Sequence, residues 1–274
     1  MKKAIIVPNY LKGESIEFCK TAKEMLCGLG YEVGILSESE IPTQPADFAI
    51  VLGGDGTILR ACKKLYMLDI PVLGINFGNL GFLTACEPDA AIDSINKVVN
   101  GKYDTENRIM LKCRVLREGK EVGSFVALNE VSLFRSTLRK AVSASVYING
   151  MHVENVLGDG VIVATPTGST SYNMSAGGAV LMPEADSMVI TPLSPMRFVC
   201  PSIVTQADDD IEIRVKINAA LDASGVSLEI DGNSSFDIYD GDVLKIEKAE
   251  KCAKIIKVND TSFYHILRKK LSKE

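Results

Sequence analysis

Val51-Leu52-Gly53-Gly54-Asp55-Gly56-Thr57 sets one carboxylate among three glycines. An apolar, strand-like run precedes it and helical spacing follows, so the acid falls between a strand end and a helix start. Glycine lets backbone approach a ligand closely and permits positive φ. Free N–H groups at a helix start favour an anion such as phosphate. A carboxylate is poorly suited to bind phosphate itself. It can hold a metal or take a proton from an attacking hydroxyl. Asp55 as a plain helix cap is the competing reading. No Gly-Lys-Ser/Thr follows, so the loop is not a Walker A motif.

Three further segments carry polar groups into apolar surroundings. Gly74-Ile75-Asn76-Phe77-Gly78-Asn79-Leu80-Gly81-Phe82-Leu83 is a second glycine-rich loop after a strand, without the Gly-x-Gly-x-x-Gly fingerprint; a tight turn with Leu80 and Phe82 in the core is the alternative. Leu128-Asn129-Glu130-Val131 interrupts an apolar strand with an amide and a carboxylate. Successive strand residues face opposite sides, so one of the pair should be buried; a structural role stays open. Gly158-Asp159-Gly160 precedes the strand ending at Thr165, and the hydroxyl-rich run from Thr165 to Ser175 then opens a short helix. Hydroxyls and free amides there can bond a base, a ribose or phosphates. An N-cap explains one or two of those hydroxyls.

The elements that must position these groups fall into two textures. Strands are expected at Lys3–Val7, Tyr31–Leu36, Phe48–Leu52 and Val72–Asn76, with helices at Ser15–Leu29 and Ile58–Leu68. Strand–helix alternation at this spacing predicts a doubly wound, parallel α/β sheet, whose ligands bind outside the carboxyl ends of the strands. From about Lys102, strand-like runs dominate: 110–116, 123–131, 143–148, 160–165, 210–215, 227–230, 243–246 and 253–258. Turn signals recur at Glu118-Gly119, Asn149-Gly150, Asp231-Gly232 and Asp240-Gly241. Little helix is expected there except near Ser171–Ala176. The expectation is an α/β domain over residues 1–101 and a β-rich, β-sandwich-like domain over 102–259. Helical spacing returns at Phe263–Leu271.

Composition excludes several classes. The 274 residues are 46% hydrophobic and 24% charged, the profile of a folded globular protein. A net charge of −5 argues against a nucleic-acid partner. No apolar run reaches the roughly 20 residues that span a bilayer, and the N-terminal apolar stretch ends too early, at Pro8-Asn9, for a signal sequence. Neither a membrane partner nor an exported location is expected. The seven cysteines at 19, 27, 62, 86, 113, 200 and 252 form no Cys-x-x-Cys pair and suit reduced core thiols in the cytoplasm. The two histidines, His152 and His265, give no zinc-site or serine-triad pattern.

In this order, Gly-Gly-Asp-Gly-Thr, Gly-Asn-Leu-Gly-Phe-Leu-Thr, Asn-Glu and Gly-Asp-Gly with Thr-Pro-Thr-Gly-Ser-Thr-x-Tyr, the segments resemble the NAD kinase family, densely over about residues 48–201. The resemblance implies that a terminal helix over about 260–274 packs back on the first domain and that NAD binds between the two domains. It also implies that Asp55 deprotonates the adenosine ribose 2′-hydroxyl of NAD, which attacks the γ-phosphate of ATP or, in some members, polyphosphate. It implies cofactor-side roles for Gly56, Arg60, Phe82, Asn129, Glu130, Asp159, Ser194 and Asn233, and for Thr170, Ser171, Tyr172, Asn173, Met174 and Ser175. Mg²⁺ would bridge the donor's phosphates, and the protein would be a homodimer or homotetramer. The chain departs from the family pattern at Val7-Pro8-Asn9-Tyr10-Leu11-Lys12, at Leu157, at Pro192-Leu193-Ser194-Pro195-Met196 and at Asn233. A lipid kinase of the same superfamily and a non-catalytic NAD(P) sensor are the alternatives. A dehydrogenase lacks both its fingerprint and a catalytic histidine.

Overall fold

The computed structural model describes residues 2–37, 40–78, 81–135, 141–196, 201–217, 226–259 and 262–272. The chain divides into two units, Met1–Arg108 with Lys251–Glu274, and Ile109–Glu250. It runs first through β1 (Lys2–Pro8), α1 (Gly13–Gly28), β2 (Tyr31–Ile35), β3 (Phe48–Leu52), α2 (Asp55–Leu65), β4 (Val72–Ile75), α3 (Ala91–Val99) and β5 (Asp104–Arg108). The second unit holds β6 (Leu111–Arg117), β7 (Lys120–Ala127), β8 (Glu130–Arg135), β9 (Val142–Ile148), β10 (Met151–Gly158), β11 (Gly160–Ala164), α4 (Tyr172–Ser175), β12 (Ser187–Leu193) and β13 (Ile203–Gln206). It closes with β14 (Ile211–Lys216), β15 (Val226–Ile230), β16 (Ser234–Ile238) and β17 (Val243–Lys248), after which β18 (Ala253–Lys257) and α5 (Phe263–Leu271) return to the first unit.

In the first unit the strands form one sheet, ordered β2-β1-β3-β4-β18-β5. All neighbours are parallel except β18 and β5. Strand β3, Phe-Ala-Ile-Val-Leu, is buried at every position, as a central parallel strand covered on both faces must be. Alternation along the strands sorts the helices to the two faces. Leu26 of α1 and Ile95 of α3 share a core with Ile6, Ile50, Leu52 and Leu73. Ile58 of α2 packs on the opposite face, over Gly74.

Among the described residues the second unit forms two six-stranded antiparallel sheets, β10-β9-β14-β17-β6-β7 and β13-β12-β11-β8-β15-β16. Apolar residues of both, among them Cys113, Val146 and Leu244 from the first and Val131, Val163 and Leu228 from the second, form one core. That is a β-sandwich, closed by interdigitating inner faces. Glu118-Gly119, Asn149-Gly150 and Asp231-Gly232 all take positive φ, the conformation tight hairpin turns require. Among the described residues, no helix is long and apolar enough to cross a membrane.

The structure departs from the expected elements in four ways. The units part at 108/109 and 250/251 rather than 101/102 and 259/260, because β5 and β18 pair with each other and β18 pairs with β4. Residues 123–131 are not one strand: β7 ends at Ala127 and β8 begins at Glu130. Helix α3 and five strands (β5, β10, β12, β13 and β16) fall outside the predicted set. Cys27 is exposed, and Cys86 and Cys252 are partly so, whereas burial pushes the Cys62 and Cys113 thiols up to about 12. Asn79, Leu80 and Cys200 lie outside the described residues.

Candidate active site

Asp55 is the first residue of α2, directly after β3 and the two glycines. Its side chain does not cap that helix. Instead its carboxylate reaches the second glycine-rich loop, where Oδ2 accepts the Phe82 N–H at 2.9 Å and Oδ1 accepts the Leu83 N–H at 2.9 Å. The close approach needs Gly81, since a Cβ there would collide with Asp55 Oδ1. The two loops are therefore clamped through one carboxylate. On the same side, the Lys270 ammonium lies 3.7 Å from Oδ2 and 4.7 Å from the centroid of the Phe82 ring.

The surrounding chain holds this clamp in place. Asn9 donates from its amide to Thr57 Oγ1 at 3.2 Å, and Ser15 Oγ ties the Asn9 N–H to the Leu52 carbonyl. Lys12 donates to the Phe77 carbonyl. Asn76, buried, donates to Glu87 and accepts the Gly78 N–H at 3.0 Å. The segment that departs from the family pattern, 7–12, thus packs against both loops.

In the second unit the organising group is Asp231, in the turn between β15 and β16. Buried and at φ 54°, its carboxylate accepts the N–H groups of Leu128 at 3.1 Å, Asn129 at 2.7 Å and Glu130 at 3.0 Å. Three successive donors spent on one side chain are why the strand expected over 123–131 breaks at this point. The Thr165 N–H bonds the Asn129 carbonyl at 2.8 Å, and Thr165 Oγ1 donates to the Leu128 carbonyl at 2.6 Å. Gly168 lies so close to Asn129 that any Cβ would strike its backbone. The hydroxyl-rich loop and the Asn129-Glu130 pair are one assembly.

Glu130 is the buried member of that pair, at 4% exposure. Its Oε1 accepts the Ser171 hydroxyl at 3.2 Å, and its Oε2 is buried without a partner among the described residues. Burial, and next the neighbouring Asp231 charge, push its carboxyl up to about 8, while the Ser171 bond works the other way. At neutral pH the group is mostly protonated. A buried, unpartnered O–H is a donor waiting for an acceptor.

Two family descriptions match the chain: the ATP-NAD kinase N-terminal domain over residues 35–103 and the ATP-NAD kinase C-terminal domain over 128–258. The chain is 37% identical to an NAD kinase from Lachnoclostridium phytofermentans over 98% of its own length and 99% of that protein's. It is 41% identical to one from Carboxydothermus hydrogenoformans, covering 88% and 85%. The chain belongs to the NAD kinase family. Its activity is that of an NAD kinase, a phosphotransferase, which sets aside the lipid-kinase, sensor and dehydrogenase alternatives. An NAD kinase from Archaeoglobus fulgidus, solved in complex with ATP, superposes with a TM-score of 0.78 at 28% identity, covering 98% of this chain and 99% of that one. Yeast NADH kinase, solved with NADH, shares the fold with a TM-score of 0.85 at 20% identity, covering 100% and 88%.

The residues assigned from the NAD kinase resemblance lie in distinct settings. Asp55, Gly56, Arg60 and Phe82 belong to the first unit, with Gly56 beside the Arg60 guanidinium. In the second unit Asn129, Glu130, Thr170 and Ser171 adjoin one another around the Thr165–Ser171 loop, and Tyr172 and Ser175 are exposed beside it. Asn173 differs: it is fully buried, donating to the Ser169 and Ala179 carbonyls and accepting from Thr191. That amide is spent on holding the loop. Met174 is half-buried next to it. Asp159 pairs with Arg135 at 2.9 Å where the chain passes from one sheet to the other. Ser194 is exposed with φ 41°, and Asn233 bonds the Asp231 carbonyl at 2.6 Å. Lys270 and the bracing role of Asp231 were outside the sequence reading. Asp231 carries only a turn signal in the sequence, and Lys270 lies in the cationic run Arg268-Lys269-Lys270, which carries no site signal of its own.

Proposed function

We propose that Asp55 acts as general base on the adenosine ribose 2′-hydroxyl of NAD, with ATP or polyphosphate as phosphoryl donor. The carrying observation is the Asp55 clamp. Each carboxylate oxygen takes one backbone N–H and keeps further lone-pair capacity, so the group is fixed in orientation and still able to accept a proton. The proton passes to Asp55, the 2′-oxygen bonds to the terminal phosphorus, and the bridging bond to the donor's next phosphate breaks, its electrons leaving with the shortened donor. Positioning and electrostatics do most of the work in such transfers.

On the acceptor side, protonated Glu130 with its unpartnered oxygen supports a bond to a ribose or carboxamide oxygen of NAD. Asn129 beside it, with Thr170, Ser171, Tyr172 and Ser175, supplies the remaining polar groups. A divalent cation such as Mg²⁺ would arrive on the donor's phosphates as part of the substrate. Among the described residues no three His, Cys, Asp or Glu side chains cluster to cage one, and no step here runs through a protein-held metal. A homodimer or homotetramer, carried over from the family resemblance, and a cytoplasmic location, carried over from the scattered cysteines, complete the reading. Asp55→Asn tests the base: NADP formation should fall by about 10²–10⁴-fold with NAD binding retained. Undiminished turnover would sink the assignment.

A further inference from the structure

Helix α5 ends in Arg268-Lys269-Lys270. Cations in a last helical turn are favoured by the helix dipole wherever the helix points, so the charges alone carry no message. Their aim does. The Phe263 ring lies 5.7 Å from the Phe82 ring, and Lys270, two turns further along the same face, reaches that ring and the Asp55 carboxylate together. Ile266 between them is buried. The helix is thus anchored on the loop that grips Asp55.

Next to this contact, α5, the end of β18 and the loop after Gly81 enclose a cleft of about 360 Å³. Its lining includes Gly81, Thr84, Lys257, Asn259, His265 and Lys269. Gly81 is shared: it forms part of the cleft wall and also lies against Asp55. A hollow of mixed lining, with two lysines and the Glu87 carboxylate in its wall, therefore adjoins the base, with a third lysine at the base itself. Lys257 also pairs with Glu106 at 3.6 Å, which fixes its stem in the wall.

We propose that this face of α5 receives the phosphate chain of the phosphoryl donor. Lys270 meets the group being transferred, and Lys269, Lys257 and Asn259 hold the phosphates behind it. The ligand class is a linear chain of phosphoanhydride-linked phosphates, common to nucleoside triphosphates and inorganic polyphosphate. The proposal rests on Asp55 being the base, because it explains how a carboxylate and a polyanion come together: an ammonium with a flexible stem can neutralise both. In the transfer step Lys270 gains and loses no proton. It offsets charge while the 2′-oxygen–phosphorus bond forms and the bridging bond breaks.

Lys269→Met, Lys270→Met and Lys270→Arg, assayed with ATP and with polyphosphate, test it. For whichever donor the wild type uses, Lys269→Met should raise the donor KM about tenfold, the effect of one lost charge-assisted contact, with the KM for NAD and the melting curve unchanged. Lys270→Met should also lower kcat, and Lys270→Arg should recover most of it. A loss with either donor supports the site and names its source. Unchanged donor KM in both Met variants overturns it. If the wild type makes no NADP, the Asp55 reading fails first, and calorimetric titration of ATP and tripolyphosphate into wild type and Lys269→Met then decides the docking face. Equal affinities would overturn it too.

Discussion

Replacing Glu130 with Gln should make the folded state progressively more stable than wild type as pH rises from 5 to 8. The Glu130 carboxyl moves from an ordinary 4.5 to about 8 in the folded chain, chiefly through burial. Below pH 4.5 both states hold the proton and nothing is lost. Between the two values the unfolded chain has released it while the folded chain keeps it, so wild-type stability declines by up to about 1.4 kcal/mol per pH unit. From those two values the cost is about 1 kcal/mol at pH 5, about 3 kcal/mol at pH 7 and about 4 kcal/mol at pH 8. Gln does not titrate and escapes it. The new amide also places N–H groups where Oε2 has no partner among the described residues, a penalty of about 1–3 kcal/mol that does not vary with pH. The slope is therefore the readout, and the absolute difference is not. Urea denaturation of both proteins at pH 5, 6, 7 and 8 gives it directly. Parallel stability-versus-pH curves would refute the claim that Glu130 is protonated in the folded protein.

Three companion predictions follow from the same contacts. Gly81→Ala should push the second loop off Asp55 and lower NADP formation by about 10²-fold; wild-type turnover in that variant would mean the clamp is not needed. Asp231→Ala removes the acceptor of three buried N–H groups and should destabilise the protein by about 3 kcal/mol or more while raising the KM for NAD, both measurable on one preparation by denaturation and steady-state assay. Asp55→Asn should separate binding from chemistry, leaving calorimetric NAD affinity near wild type as turnover collapses.

Much of the scaffold was legible. The strand Phe48–Leu52 is as the sequence predicts because a parallel strand covered on both faces must be apolar throughout. Asn149-Gly150 marked its hairpin because positive φ at successive residues demands such types. Four of the five unpredicted strands share a cause. Strands β5, β10, β13 and β16 are all sheet edges, where one side of the ladder is open and the apolar pattern is thin. Strand β12 is internal, but Pro192 within it hides it, since proline lacks the N–H a ladder uses. The site was legible where chemistry is local: Gly-Gly-Asp-Gly-Thr placed an acid at a strand end, and Asn129-Glu130 announced that one of two polar neighbours would be buried.

The sequence alone determined which residues could do chemistry, because residue type and spacing along one strand–loop–helix unit are local facts. Only the tertiary structure decided their state. The Asp55 carboxylate is oriented by amides 27 and 28 residues away, and by an ammonium at Lys270. Asp231 braces Glu130 across 101 residues, and burial there keeps the proton on. Strand β18 joins the first sheet through Ile255 beside Val72. No periodicity encodes such pairings, because charge state and orientation depend on desolvation and neighbours that the chain acquires only when it folds.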